Sequence, residues 1–354
     1  MRKHYIDNIR WITVLMLFPY HTFMVYNNFG ESFYVKGADL GFTSLVIGVL
    51  WPWIMPLLFL VSGIGSYHSL QKRTVKEYLT ERIHRLFIPL FFGILFLVPI
   101  QTFLAEKFHN AYQGNYFEQY ILFFTKPTDL SGYHGGFTPA HLWFLLYLFI
   151  ISLVSLPIIH LCNKSRKRLD ISKITLPILL TFFIIPVLSQ VILDIEGKSL
   201  GEYLAWYLLG YFIMSKDEIQ DILEKHRIVL AIASALMMII YALGMIFLES
   251  YNVILYEIFY GLYAYTTVLA ILGMGKKRLN FTNRVTSYMT KSSFGIYLFH
   301  QEWVVISAYF VILNVTNIPL QIISILIFSI IFTFFTQITF RKIPFLRYIF
   351  GLTK

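Results

Sequence analysis

Residues 139–161 read PAHLWFLLYLFIISLVSLPIIHL and contain no Asp, Glu, Lys or Arg. A helix that crosses a bilayer needs about 20 apolar residues, because each adds about 1.5 Å of rise against a hydrocarbon core of about 30 Å. The apolar residues here also follow one another without the alternation that a half-buried strand shows. The stretch therefore predicts a membrane-spanning helix, and comparable stretches occur along the whole chain.

The composition supports the same fold class. Of the 354 residues, 57% are hydrophobic and 14% are charged, whereas an average soluble domain has roughly half apolar and roughly a quarter charged residues. Too little polar material remains to cover soluble domains of this total size, so a large soluble catalytic domain is excluded. The single cysteine, Cys162, excludes an intrachain disulfide framework, and we expect no metal site.

Ten segments are apolar enough to be predicted spans, although a few are short. They are residues 9–27, 40–66, 86–105, 139–161, 173–193, 199–214, 227–248, 252–273, 292–311 and 318–340. Helices are expected rather than a barrel, because the apolar runs are continuous and lipid offers no partner for an open backbone. We therefore predict an all-α polytopic membrane protein, a single transmembrane domain over residues 1–354 with no fused extracytoplasmic domain.

The basic residues predict the orientation of these helices. With both termini cytoplasmic, all but four of the 29 Lys and Arg residues fall on the cytoplasmic side, and the exceptions are Lys36, Lys107, Lys126 and Lys198. This asymmetry follows the positive-inside rule. The net charge of +10 is then an orientation signal with membrane lipid as its partner, not a nucleic-acid signal, and we expect a multi-pass protein of the plasma membrane.

Titratable side chains deep in a bilayer are costly and are therefore candidates for function. Of the ten histidines, only His21 and His300 fall near the middle of a predicted span, while His141 falls at an outer edge. A neutral imidazole at mid-depth can take a proton from a hydroxyl and return it to a leaving group, which is general acid–base catalysis. A helix-to-helix hydrogen bond is the alternative for His21.

Arg10 lies on the same predicted helix as His21. At about 100° per residue the two side chains share one face and are separated by roughly 16 Å along the axis. Pro19 is expected to kink this helix just before His21. The shared face favours a joint role, whereas Arg10 alone is also explained as an arginine that reaches the cytoplasmic headgroups.

His300 approaches His21 by depth, and its role as a second catalytic group, an orienting group or a packing residue stays open. Glu302 lies outward of it and is a candidate to hold His300 or another cation.

Two further regions suggest binding. Thr74 and Glu77 have the spacing of a capping box, which predicts a cytoplasmic helix running to Arg85. Arg82 and Arg85 face the same way on it and suit phosphate groups, with lipid headgroups as the alternative. Outside, the Tyr- and Gly-rich loop 106–138, which shows no clear element of its own, suits either a sugar-facing platform or an aromatic belt.

Four motifs in this order resemble the acyltransferase family 3 integral-membrane proteins, the O-acyltransferases that modify glucans and polysaccharides. They are YIDNIRW at 5–11 leading to Tyr20 and His21, RIHR at 82–85, HLWFL at 141–145, and GIYLFH at 295–300. The resemblance covers essentially the whole chain. Through the third motif it adds His141 and Trp143 as supporting candidates.

The resemblance implies transfer of an acyl group, commonly acetyl, from cytoplasmic acyl-CoA to a hydroxyl of a cell-envelope or lipid-linked glycan. His21 is then the general base, Arg10 supports it or the donor, and Arg82 with Arg85 holds the phosphates of CoA, which is a co-substrate and not a resident cofactor. Some family members carry an extracytoplasmic esterase-like domain; here either the bundle acts alone or a separate extracytoplasmic transferase completes the reaction. The alternative function is a proton-coupled transporter or flippase for a polar or glycan substrate, with His21, His300 and Glu302 as its relay.

Overall fold

The computed structural model describes residues 3–29, 33–128, 130–164, 170–247 and 253–353. Almost all regular structure in these ranges is helical. The helices are α1 (His4–Leu15), α2 (Leu17–Met24), α3 (Gly41–Leu70), α4 (Val75–Arg82), α5 (Ile88–Phe96), α6 (Val98–His109), α7 (Tyr116–Thr125), α8 (Trp143–Lys164), α9 (Leu176–Thr181), α10 (Ile184–Ser189), α11 (Leu200–Leu209), α12 (Asp217–Lys225), α13 (Arg227–Phe247), α14 (Val253–Arg278), α15 (Arg284–Asn314), α16 (Ile318–Lys342) and α17 (Pro344–Ile349). Two short strands, β1 (Asp194–Ile195) and β2 (Lys198–Ser199), form an antiparallel hairpin.

Seven helical stretches in the described ranges are long and apolar enough to cross a membrane. They are Gly41–Leu70, Val75–His109, Ala140–Lys164, Arg227–Gly244, Ile254–Arg278, Arg284–Asn314 and Ile318–Lys342. Each coincides with one of the ten predicted spans, and the all-α polytopic membrane fold is confirmed. The orientation stays a prediction, and part of its charge argument (Arg2, residues 165–169 and Lys354) lies outside the described residues.

The other three predicted spans coincide with shorter helices. Residues 9–27 divide into α1 and α2, residues 173–193 into α9 and α10, and residues 199–214 into α11 followed by a π-helical turn, Gly210–Met214. Proline explains the first two interruptions, because its ring clashes with the carbonyl four residues earlier and it has no N–H to donate. Pro19 acts in this way on Leu15, where α1 ends, and Pro186 on Phe182, next to the end of α9. The chain leaves regular α-helix at Met16, three residues before Pro19, and the predicted kink just before His21 stays a prediction.

The structure consists of two compact units, each assembled from three chain segments. Unit 1 comprises Met1–Thr13, Gly48–Glu81 and Tyr147–Ser287; unit 2 comprises Val14–Ile47, Arg82–Leu146 and Tyr288–Lys354. Of the candidate site residues, Arg10 lies in unit 1 and all the others lie in unit 2.

Unit 1 owes part of its packing to two glycines that allow helices to approach closely. A Cβ atom on Gly63 would overlap the carbonyl oxygen of Tyr207, and one on Gly210 would overlap that of Leu60. Beside this crossing the Tyr78 hydroxyl lies 2.9 Å from the Tyr207 hydroxyl, and both rings are fully buried. Small residues that let backbones approach are a common means of helix association within membranes.

In unit 2, the outer loop contains a helix that the sequence did not reveal. The Asn115 side chain caps α7 by accepting hydrogen bonds from the N–H groups of Phe117 and Glu118. In return, the Glu118 carboxylate accepts a hydrogen bond from the N–H of Asn115. This capping box falls within the loop predicted to lack its own element. Phe117 and Ile121, four residues apart, are both exposed, so α7 presents an apolar face.

Candidate active site

Three histidines from separate segments meet inside unit 2. The ring of His300, on α15, lies 5.1 Å from that of His21, on α2, and 5.4 Å from that of His141, in a 3₁₀ turn before α8. His300 is fully buried and His141 is 5% exposed, whereas His21 keeps partly accessible surface. The cluster therefore has a dry interior, and His21 is its most exposed member.

Backbone carbonyls fix the protons of two of these rings. Nδ1 of His300 donates to the carbonyl of Tyr297 over 2.6 Å, and Nε2 of His141 donates to that of Leu298 over 3.0 Å. The Tyr297 hydroxyl donates a 2.6 Å hydrogen bond to the His141 carbonyl. Since a carbonyl only accepts hydrogen bonds, each ring carries its proton on the nitrogen that faces the backbone.

Aromatic rings cover His21 on other sides. Phe33 stacks on the imidazole with centroids 6.1 Å apart, and Tyr20 meets it edge-on at 5.1 Å. The Phe33 carbonyl accepts a 2.6 Å hydrogen bond from His109, and the Phe33 ring contacts Tyr133 of the outer loop. Phe33, backed by Tyr133, thus helps enclose His21, which lowers its access to water.

Glu302 follows the cluster along α15 and is buried with an amide pair. Its Oε2 accepts from Nε2 of Gln101 over 2.9 Å, and Oε1 of Gln101 accepts from Gln301 over 2.9 Å. Oε1 of Glu302 is buried and has no hydrogen-bond partner within the described residues. An under-satisfied polar atom in a dry site is energetically costly and is a candidate for substrate contact.

Glycines allow the helices that carry these residues to pack closely. On α5, a Cβ at Gly93 would lie 2.5 Å from Cδ1 of Leu142, the buried neighbour of His141. On α15, a Cβ at Gly295 would lie 2.6 Å from Cγ of Gln337 on α16. A side chain at either position would therefore have to displace Leu142 or Gln337, and both glycines lie in or against segments that hold the imidazoles.

The two arginines of the RIHR motif lie on the helical run Val75–His109, which also carries Gln101 nearer its other end. Arg82 ends α4 and is half-buried, whereas Arg85 is exposed within a π-helical turn, Ile83–Phe87. At about 1.5 Å per residue, Arg82 is about 28 Å along the helix from Gln101, which contacts Glu302. The structure therefore does not bring the arginines to the imidazoles, and only an elongated ligand reaches from one to the other. π turns occur frequently at functional sites.

Arg10 and Trp143 are the remaining candidate residues. Arg10 lies 3.7 Å from the carboxylate of Asp7, one turn earlier on α1, and its side chain is 37% exposed. Trp143 begins α8 beside His141 and is half-buried. The joint role of Arg10 and His21 stays a prediction.

The structure brings one supporting candidate into the cluster and adds one residue. His141, expected at the outer edge of its span, has its ring 5.4 Å from that of His300. Gln101 was not recognised, although an amide inside the apolar segment 86–105 is a recognisable signal for a helix-to-helix hydrogen bond. Within the described residues, no group of three His, Cys, Asp or Glu side chains is placed to hold a metal ion.

Comparison with known proteins agrees with the resemblance of the four motifs. The sequence model of one family, described as "Acyltransferase domain", matches residues 3–338. The chain belongs to acyltransferase family 3. This acyltransferase is 22% identical over 377 residues to Glucans biosynthesis protein C of Escherichia coli (strain K12), covering 99% of this chain and 94% of the relative. The same values hold for the protein of that name in Escherichia coli O6:K15:H31.

No solved structure matches the acyltransferase significantly. Its family and its apolar helices together make it a multi-pass membrane acyltransferase, and they favour acyl transfer over the transporter interpretation.

Proposed function

We propose that this acyltransferase moves an acetyl group from cytoplasmic acyl-CoA to a hydroxyl of a cell-envelope or exported glycan, with His21 as the general base, in the plasma membrane. The observation that carries the proposal is the buried histidine cluster within a chain of this family. His21 is the member with accessible surface, so it is the imidazole that an acceptor can reach.

The transfer requires one proton to move twice. His21 takes the proton of the acceptor hydroxyl as its oxygen attacks the thioester carbonyl, and a tetrahedral oxyanion forms. This intermediate collapses, the C–S bond breaks, and the thiolate leaves with the proton that His21 received. The products are the ester and free CoA, and the base returns to its neutral form.

Exclusion of water supports this use of the site. Phe33, Tyr20 and the buried ring of His300 surround the imidazole of His21. A dry site limits hydrolysis of the thioester and strengthens electrostatic interactions during the reaction. The role of Arg10 in supporting His21 or the donor stays a prediction.

The arginine end of unit 2 suits the donor's phosphates. Arg82 and Arg85 flank the π turn at one end of the Val75–His109 run, and guanidinium groups bind phosphates with paired N–H donors. The pantetheine arm of CoA separates the thioester from the phosphates, so the phosphates and the reacting carbonyl need not occupy the same site.

For the acceptor, the name of the relative points to glucans, and aromatic side chains of the outer loop suit sugar rings. The family resemblance leaves two routes for the last step. Either the helical bundle completes the transfer alone, or a separate extracytoplasmic transferase passes the acyl group to the acceptor.

The test uses the full chain in lipid nanodiscs with radiolabelled acetyl-CoA and a linear glucan. His21→Gln should lower labelled glucan at least about 10²-fold, the usual contribution of a general base. His134→Gln, which changes an exposed histidine of the outer loop, should retain wild-type transfer. Normal transfer by a folded His21→Gln protein would remove the base assignment; acetyl-CoA cleavage without labelled glucan would remove the acceptor class.

A further inference from the structure

We infer that His300 is a positioning residue that sets the tautomer of His21, accepting a hydrogen bond from Nδ1–H of His21 so that Nε2 carries the lone pair that takes the proton. The inference rests on the proposed function of His21 as the base. It goes further by assigning which nitrogen reacts and what holds it in place.

The first step is the state of His300. Its Nδ1 donates to the carbonyl of Tyr297, so in the neutral ring Nε2 is an acceptor. That nitrogen is buried, and the described part of the chain offers it no hydrogen-bond partner. A buried lone pair without a donor is costly, so the site favours a neighbour that presents an N–H.

The second step excludes His141 as that neighbour. Its proton is held on Nε2 by the Leu298 carbonyl, so Nδ1 also carries a lone pair. Two lone pairs cannot satisfy each other. His141 Nδ1 and His300 Nε2 can therefore only accept from another group.

The third step identifies His21 as the donor. Its ring centroid is 5.1 Å from that of His300, with 44° between the ring planes, and its Nδ1 is buried and unsatisfied among the residues described. Rotation about χ2 of histidine is soft, so a modest rotation of the His21 ring brings the two nitrogens into line. Glu302, the only carboxylate on α15, accepts from Gln101 through Oε2 and lies beyond His300 along the helix, with its Oε1 unpartnered among the described residues.

The arrangement performs for His21 what a carboxylate does for the histidine of a hydrolytic triad. A fixed acceptor selects one tautomer of the base and stabilises the imidazolium that forms when the hydroxyl proton arrives. Here the acceptor is a second, neutral imidazole, itself oriented by a backbone carbonyl.

The test combines ¹⁵N-histidine NMR with kinetics on the full chain in nanodiscs. The His21 resonances are assigned by their loss in His21→Gln, and protonated and unprotonated ring nitrogens resonate far apart. Wild type should show the proton on Nδ1 of His21. His300→Phe should redistribute it, His300→Gln should retain it because the amide oxygen accepts, and His141→Phe should also retain it.

The kinetic expectation is a kcat roughly 10²-fold lower for His300→Phe with KM for acetyl-CoA unchanged. His300→Gln should recover at least about tenfold of this loss, which a purely structural role would not give. A wild-type spectrum with the lone pair on Nδ1 of His21 overturns the inference even if His300→Phe fails to fold, as does an unchanged tautomer in His300→Phe. The NMR result needs no acceptor, so it is separate from failure of the proposed function, which His21→Gln reports.

Discussion

Polar side chains are buried at one end of unit 2 and exposed to solvent at the other. Around α15, His300 and Glu302 are at most 4% exposed, and protein atoms supply the hydrogen bonds of their satisfied atoms. At the other end, Arg85 lies exposed in its π turn. A polar group that is buried away from water needs hydrogen bonds from the protein, and these hold it in one orientation. A solvent-exposed polar group can exchange its bound water for a ligand. The buried end is therefore suited to directed proton transfer, and the exposed end to capture of a charged ligand.

The comparison predicts that the effect of losing a polar contact follows burial. The largest effect is expected for Gln101→Leu, which removes the donor to Glu302 and the acceptor of Gln301 at once. Stranding a buried carboxyl should lower stability by about 3 kcal/mol, measured by thermal unfolding in nanodiscs. The double variant Gln101→Leu/Glu302→Leu should be more stable than the single one, because no carboxyl is stranded.

The control is Gln113→Leu, an exposed glutamine in the outer loop, which should change stability by no more than about 0.5 kcal/mol. Equal losses for the buried and exposed glutamines would contradict the comparison.

A smaller loss is expected from Gly93→Ala, because the new methyl group meets Leu142 beside His141. Overpacking should cost about 1–2 kcal/mol and disturb the imidazole cluster. A double-mutant cycle with Leu142→Val measures the clash, since shortening Leu142 should relieve it. Gly41→Ala, whose nearest neighbour is 3.8 Å away, is the matched control; additive effects of Gly93→Ala and Leu142→Val would rule out this contact.

At the arginine end, the expected change is in donor binding. Arg82→Ala should raise KM for acetyl-CoA about tenfold with little change in kcat, because a phosphate contact is lost without disturbing the base. Arg85→Ala should act in the same direction but less, since its side chain is more exposed, and added salt should reduce both effects. Exposed Lys72→Ala is the control. A fall in kcat at constant KM would place the arginines in the chemistry instead.

The smallest effect is expected at an exposed ion pair of unit 1. Nζ of Lys3 lies 2.5 Å from Asp217, and this hydrogen bond lowers the pKa of the carboxyl. A lowered pKa gives stability above the unfolded value of about 3.9 that is lost as pH falls through the folded value. Because Asp217 is 80% exposed, we expect about 0.5 kcal/mol at most. Asp217→Asn should melt slightly below wild type at pH 7, and the two should converge as pH falls below the folded pKa of Asp217; a constant gap would contradict the linkage.

Much of the site could be predicted from residue types and spacing. Pro19 predicted an irregularity in the span that the structure divides into α1 and α2, Thr74 and Glu77 predicted the cap of α4, and His21 and His300 were both recognised as costly residues within apolar spans. These predictions succeed because local sterics and the scarcity of polar groups in lipid depend on sequence neighbours alone.

Other features depended on contacts between distant segments. The outer loop hid α7 because its caps are polar residues that are equally common in turns. Gln101 was missed, and the contact of His141 with His300 was not foreseen, because position along one helix does not say which neighbour faces it.

The sequence by itself determined that this chain crosses the membrane many times and belongs among acyltransferases, because apolar length must match the bilayer and the motifs lie along one chain. Only the tertiary structure decided that His141 joins His300 and His21, and that Gln101 holds Glu302. The physical reason is close packing: positions such as Gly93 and Gly295 let segments far apart in sequence approach within a side chain's width, and this approach selects which polar groups meet.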